Sequence, residues 1–245
     1  MRALKWWIIG LILACGSLIL ILQETFVTIR GEDDIRLHCA SNLKQIYMAF
    51  DDYHHVNGRL PPPAITNKAG KPLLSWRVLV LPFVEEQRLY QEFHLDEPWD
   101  SPHNLPLLNK VPYVYASTVL PEERRMTHYQ VIVGSGTPFE KEGLTWDDFP
   151  DGRSNTILIV DAVKAVPWTK PSDVNYNPQA TMAVLGQNHQ YSIHFSRYTL
   201  GAYQVFNAAF ADGTIRFIRV DKNPESMRGF VTRNGGEALD WSKIK

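Results

Sequence analysis

Apolar and polar positions follow three different rhythms along this chain. From Trp6 to Leu22 there is no alternation at all: WWIIGLILACGSLILIL is 17 residues long and carries no charge. A hydrocarbon core of about 30 Å takes roughly 17–25 helical residues, so the run predicts a membrane-spanning helix. Over residues 33–57, Leu43, Ile46, Tyr47, Phe50, Tyr53 and His54 recur at steps of three and four, the mark of a helix with one apolar face. Asp33 and Asp34 suit its first turn, and Asn57-Gly58 before Pro61-Pro62-Pro63 stops it. A second helical period covers 75–93, with Ser75 as its cap and Pro82 as a kink or break. Residues 64–74, with Asn67 and Gly70, read as a polar loop between the two.

After a proline- and turn-rich stretch at 94–128 the period falls to two. Tyr129–Val133, Thr156–Val160, Val205–Ala211 and Thr214–Val220 read as strands, rich in branched and aromatic residues. Asp212-Gly213 between the last two predicts a type I′ hairpin turn. Residues 162–200 show few periodic runs. Helices first and strands later predict an α+β fold. In it, a long N-terminal helix, part membrane anchor and part soluble, packs on an antiparallel β-sheet. The expected organisation is residues 1–30 as cytoplasmic tip, anchor and linker, and residues 31–245 as one extracytoplasmic domain.

Charge sets the orientation. Arg2 and Lys5 precede the apolar run and no acid does, which keeps the N-terminus in the cytoplasm and exports the rest. Beyond Leu22 the chain carries 23 basic and 26 acidic residues, a balance that suits a solvated domain and disfavours nucleic-acid binding. Three fates are open to the leader: an uncleaved signal anchor, lipidation at Cys15 within Ile12-Leu13-Ala14-Cys15, or ordinary cleavage, for which no Ala-x-Ala end stands near Gln23. The two cysteines, Cys15 and Cys39, would lie about 36 Å apart along a continuous helix, beyond disulfide reach.

The sequence offers several candidate sites. Asp147, Asp148, Asp151 and Asn155, with Ser154, make an oxygen-rich loop of the kind calcium takes; the competing reading is turn chemistry at Asp151, Gly152 and Asn155. Trp168, with Pro167, Pro171 and Asp173, is an aromatic platform for a sugar or peptide, or else a lid on the local core. His189 and His194 could converge with Asp161 and Asp212 for zinc or acid–base chemistry, although Asp212 and Gly213 already have a turn to make. Asp51 and His55, one turn apart, share a helix face but are two ligands only. No Gly-x-Ser-x-Gly elbow, phosphate-binding loop, His-Glu-x-x-His or dinucleotide fingerprint is present, which weighs against the commonest enzymes.

A set of short stretches, in order, carries a resemblance. They are Cys39-Ala-Ser-Asn-Leu-Lys-Gln-Ile46, Ser75-Trp-Arg-Val-Leu79 with Leu81-Pro82, Thr127-His-Tyr129 with Gly134, and Asp151-Gly-Arg-Ser-Asn-Thr-Ile157. Trp168-Thr-Lys-Pro171 with Asp173, Phe210-Ala-Asp-Gly-Thr-Ile-Arg-Phe217 and Gly235-Gly236-Glu237 complete it. Together they resemble the planctomycete family of unknown function DUF1559, also labelled solute-binding-like. The resemblance implies a pilin-like architecture and no established activity. Many members begin with a prepilin leader, Gly-Phe-Thr-Leu-x-Glu; here no Gly-Phe-Thr precedes the apolar run and Glu24 follows it.

The expectation is a non-enzymatic, single-pass, pilin- or pseudopilin-like envelope protein. Its partners would be the membrane, through residues 6–22, and other envelope proteins, with no cofactor beyond a possible Ca2+ in the 147–155 loop. The first alternative is a tethered solute- or glycan-binding domain; the second is a metal-dependent hydrolase.

Overall fold

In a computed structural model, the structure describes residues 37–116, 124–176, 204–220 and 225–241. The chain divides into Met1–His38 and Cys39–Lys245, and the layers below belong to the second unit. The fold is α+β, as the change of period predicts. Helix α1 runs over 37–57 and buries Leu43, Ile46, Ala49, Phe50 and Tyr53 along one side. It ends where Gly58 takes a positive φ and returns its N–H to the His54 carbonyl.

The stretch at 64–74 is no plain loop. Strands β1 (Ala64–Thr66) and β2 (Pro72–Ser75) pair antiparallel around a turn in which the Asn67 carboxamide oxygen accepts the N–H groups of Ala69 and Lys71. Asn67 thus acts as the turn former rather than as loop filler. Nor is 75–93 one helix. It breaks into α2 (Trp76–Leu79), a 3-10 turn at Leu81–Val84 and α3 (Gln87–Glu92). Pro82 has no N–H to continue the ladder, and Glu85 closes the 3-10 turn in the left-handed region at φ 64°. Ser75 caps α2 by accepting the Arg77 N–H.

Five strands form the main sheet: β3 (Met126–Val133), β4 (Ile157–Pro167), β5 (Val174–Asn175), β6 (Gln204–Phe210) and β7 (Ile215–Val220). Their order is β5-β3-β4-β6-β7. The β3–β4, β4–β6 and β6–β7 pairs are antiparallel; the two-residue β5 lies parallel to the end of β3. Helix α4 (Glu225–Val231) follows. Alternation divides β6 between two cores. Phe206, Ala208 and Phe210 join Met227 and Phe230 of α4, whereas Ala209 joins α1, Trp76 and Trp168 on the other face. A bulge in β4 between Ile157 and Ile159 lets Leu158 and Ile159, though adjacent, both join the α1 core.

The β6–β7 turn departs from type I′. The Gly213 N–H reaches the Phe210 carbonyl at 2.9 Å, so Ala211 and Asp212 are the central residues, and only Gly213 takes a positive φ. This is the longer hairpin loop in which glycine follows the turn. Among the described residues no helix is long and apolar enough to cross a membrane; Trp6–Leu22 and Cys15 lie outside those residues.

Candidate functional site

Two side-chain assemblies bring together most of the residues that the sequence singles out. The first is buried. Arg77 in α2 is flanked by Trp76 and Val78, and all three have no solvent exposure. Its guanidinium cannot shed its proton, so burial requires a counter-charge and a full set of acceptors. Both are supplied. Asp173 Oδ1 accepts from Nη2 at 2.8 Å, the Tyr129 carbonyl accepts from Nε and Nη2, and the Ser75 hydroxyl accepts from Nη1. The same Asp173 oxygen accepts the Trp76 indole N–H and the Val131 backbone N–H, both at 3.1 Å. Burial pushes the Asp173 carboxyl above its ordinary range, against the pull of Arg77 and the two N–H donors.

Trp168 belongs to the same region. It is wholly buried, donates its indole N–H to the Leu108 carbonyl at 3.1 Å, lies nearly parallel to Tyr115 and meets Phe93 edge-on. The aromatic platform of the sequence reading is thus turned inward. Trp168 presents no face to a ligand at the surface, and Asp173 is committed to Arg77 and the β3 backbone. The rest of the site that the solute- or glycan-binding reading uses, the 162–200 loop beyond Tyr176, lies outside the described residues.

The second assembly is a half-exposed junction where α1, the 145–155 loop and the β6–β7 turn meet. Arg153 lies 4.4 Å over the Trp146 ring, donates Nη2 to the Tyr47 hydroxyl at 3.0 Å and donates Nε to the Ala211 carbonyl at 2.9 Å. Trp146 gives its indole N–H to Asp51 at 2.9 Å and packs against His54 and Phe149. Lys44 reaches the Gly213 carbonyl at 2.9 Å. Gly213 must be glycine twice over: its φ is 81°, and a Cβ there would come within 2.5 Å of the Tyr47 ring. Desolvation raises the Tyr47 phenol, with Arg153 opposing.

Several polar groups of the oxygen-rich loop are engaged within this frame. Asp148 and Thr145 form a reciprocal cap, and the Thr145 backbone N–H and hydroxyl hold the Asp148 carboxyl below its usual range. Asp151 accepts the Gly236 N–H, Asn155 donates to the Asp151 carbonyl, and Asp147 donates its N–H to Thr145. Gly152 sits at φ 94° ahead of the short 3-10 turn at Arg153–Asn155. Turn chemistry, the competing reading for this loop, describes these contacts. Asp212 takes the N–H and hydroxyl of Thr214. Among the described residues no group of three His, Cys, Asp or Glu is placed to hold a metal. Asp161 lies in β4 and is buried; His189 and His194 lie outside the described residues.

Two anchor pairs were invisible to periodicity. Arg77 and Asp173 are 96 positions apart, and Glu140 pairs with Arg233 across 93. The local signal for the first was a charge set between two apolar residues in Trp76-Arg77-Val78; the second has none.

No curated protein and no solved structure matches the chain. One family model does, over residues 36–130, and its description is "Protein of unknown function (DUF1559)". The matched stretch opens at α1 with Cys39 to Ile46, includes the Ser75-Trp76-Arg77 cap and ion-pair donor, and closes in β3 at Tyr129, whose carbonyl takes the guanidinium. Over residues 36–130 the chain is thus similar to the DUF1559 family.

Proposed function

We propose that the protein is a membrane-anchored, pilin- or pseudopilin-like envelope protein that presents its α+β domain to protein partners and carries out no reaction of its own. The observation that carries this reading is the sequence of parts. A charge-free run at Trp6–Leu22, preceded by Arg2 and Lys5, stands ahead of a 37–57 helix that lies along an antiparallel sheet. The run would hold the chain in the membrane with its N-terminus inside, and the domain would stand outside the cytoplasm. The partly exposed Trp146 and Arg153, backed by the buried Tyr47, are the surface offered for contact. Its side chains are fixed by mutual hydrogen bonds, so it loses little freedom on binding.

The test is to express the full chain and a chain lacking residues 1–22 in a bacterial host with an envelope. The full chain should stay in the membrane after alkaline carbonate washing, and its domain should be cut by protease added to spheroplasts. The shortened chain should be extracted. A full chain that washes off the membrane, or is protected from external protease while membrane-bound, overturns the reading.

A further inference from the structure

Asparagine or aspartate followed by glycine is where a chain most readily attacks itself, because glycine has no side chain to shield its amide nitrogen. The chain has four such pairs: Asn57-Gly58, Asp151-Gly152, Asp212-Gly213 and Asn234-Gly235. Three of them are held by hydrogen bonds. The Gly58 N–H goes to the His54 carbonyl at 2.8 Å, that of Gly152 to Phe149 at 3.0 Å and that of Gly213 to Phe210 at 2.9 Å. Their side chains are held as well. Asn57 Nδ2 donates to the Tyr53 carbonyl, Asp151 accepts the Gly236 N–H, and Asp212 accepts from Thr214.

Asn234-Gly235 is the exception. It stands in a bend just past α4 with both residues exposed. Among the described residues, neither the Gly235 N–H nor the Asn234 carboxamide makes a hydrogen bond. Exposure alone does not set the pair apart, since Asn57 and Gly58 are exposed too. An amide nitrogen engaged as a donor must break that bond before it can lose its proton and turn on the neighbouring side chain. The Gly235 nitrogen has no such bond to break.

We propose that Asn234 is a site of spontaneous deamidation. The Gly235 nitrogen, its proton taken by water, bonds to Asn234 Cγ. The Cγ–Nδ2 bond breaks, and ammonia leaves after taking up a proton. Water then opens the cyclic imide at either carbonyl, giving aspartate or isoaspartate. The site lies between two anchors. Arg233 gives its N–H to the Gly136 carbonyl and pairs with Glu140, and the Gly236 N–H goes to Asp151. Beyond them Leu239 and Trp241 pack against the α4 core, with Trp241 on Phe210 and Phe230. Isoaspartate adds one carbon to the main chain between the anchors, and a carboxylate with it, so the 236–241 strap loosens.

The experiment is mass-spectrometric peptide mapping of the full chain in detergent, aged at mildly alkaline pH both folded and in urea. In the folded chain the Asn234 peptide should gain the mass of an amide turned to acid and split into aspartate and isoaspartate forms. It should do so about thirtyfold faster than the Asn57 peptide, the factor for two hydrogen bonds that must first break. In urea the two should react at similar rates. Asn234→Gln should abolish the isoaspartate. Amide exchange over 236–241 should quicken as the parent ages and stay constant in the aged Asn234→Gln chain. Conversion at Asn234 no faster than at Asn57 in the folded chain overturns the proposal. A gap as wide in urea places the cause in the flanking residues and overturns it too, and unchanged exchange over 236–241 overturns the loosening of the strap.

Discussion

Arg77 and Arg153 each gather an aromatic group and a hydroxyl, yet they do so under opposite conditions. Arg77 has no exposure, and its charge is met by Asp173 at 2.8 Å. Arg153 is partly exposed and, among the described residues, pairs with no carboxylate; it uses a backbone carbonyl, a phenol and the face of Trp146. Water screens the second charge and cannot reach the first. A buried guanidinium therefore ties its fate to one acid far away in sequence, whereas a surface guanidinium draws on several weak contacts, none of them indispensable.

The comparison can be broken most severely at Arg77. Arg77→Ala leaves the Asp173 carboxylate buried without its cation and should cost about 3–5 kcal/mol in urea unfolding. Arg77→Met with Asp173→Leu removes both charges and should restore most of that loss; equal damage in the double variant would mean that the hydrogen bonds to β3, not the charges, carry the stability. Gly213→Ala comes next, at about 2–4 kcal/mol, since it combines a left-handed backbone with a collision against Tyr47. Arg153→Met keeps the stem and should cost only about 1 kcal/mol. A loss as large as that of Arg77→Ala would erase the distinction.

A finer test is titration of carboxyl carbons by NMR. Asp173 should titrate above the ordinary carboxylate range and Asp148 below it. The signs then differ. The contribution of Asp148 is present above its unfolded value and fades as pH falls through the lower folded one. That of Asp173 is full below its unfolded value and fades as pH rises through the higher folded one. Asp173→Asn and Asp148→Asn should therefore tilt the stability-versus-pH curve in opposite directions.

Much of this arrangement was legible in the chain. The α1 face, parts of β3, β4, β6 and β7 and the Ser75 cap follow from spacing and from local chemistry at a few residues, whereas the run of β4 on to Pro167 and the two-residue β5 fall where 162–200 shows few periodic runs. The 64–74 hairpin escaped because its short strands leave almost no alternation to read, and the turn depends on one side chain, Asn67. The 75–93 segment kept a helical period across its breaks although its pieces feed Trp76, Val78, Val80, Leu81, Leu89 and Phe93 into one core from separate turns; only Pro82 marked where the ladder must fail. Trp168 shows the limit of composition. A tryptophan between prolines suits a surface platform as well as a core, and the difference lies in whether Tyr115 and Phe93 come to meet it. No local rule pairs Arg77 with Asp173, because the pairing exists only after β3 has been placed between them.

That pairing also finishes the border of the sheet. Along the free side of β3, the Tyr129 carbonyl is taken by Arg77, the Val131 N–H by Asp173, and the Val133 carbonyl by the Tyr176 N–H just past β5. Two side chains and a two-residue stub thus stand in for a neighbouring strand. A second molecule that approaches this margin finds no row of open donors and acceptors to copy, so the ion pair doubles as a guard against edge-to-edge polymerisation. For a protein crowded beside its own copies, that protection would act independently of any stability the pair confers.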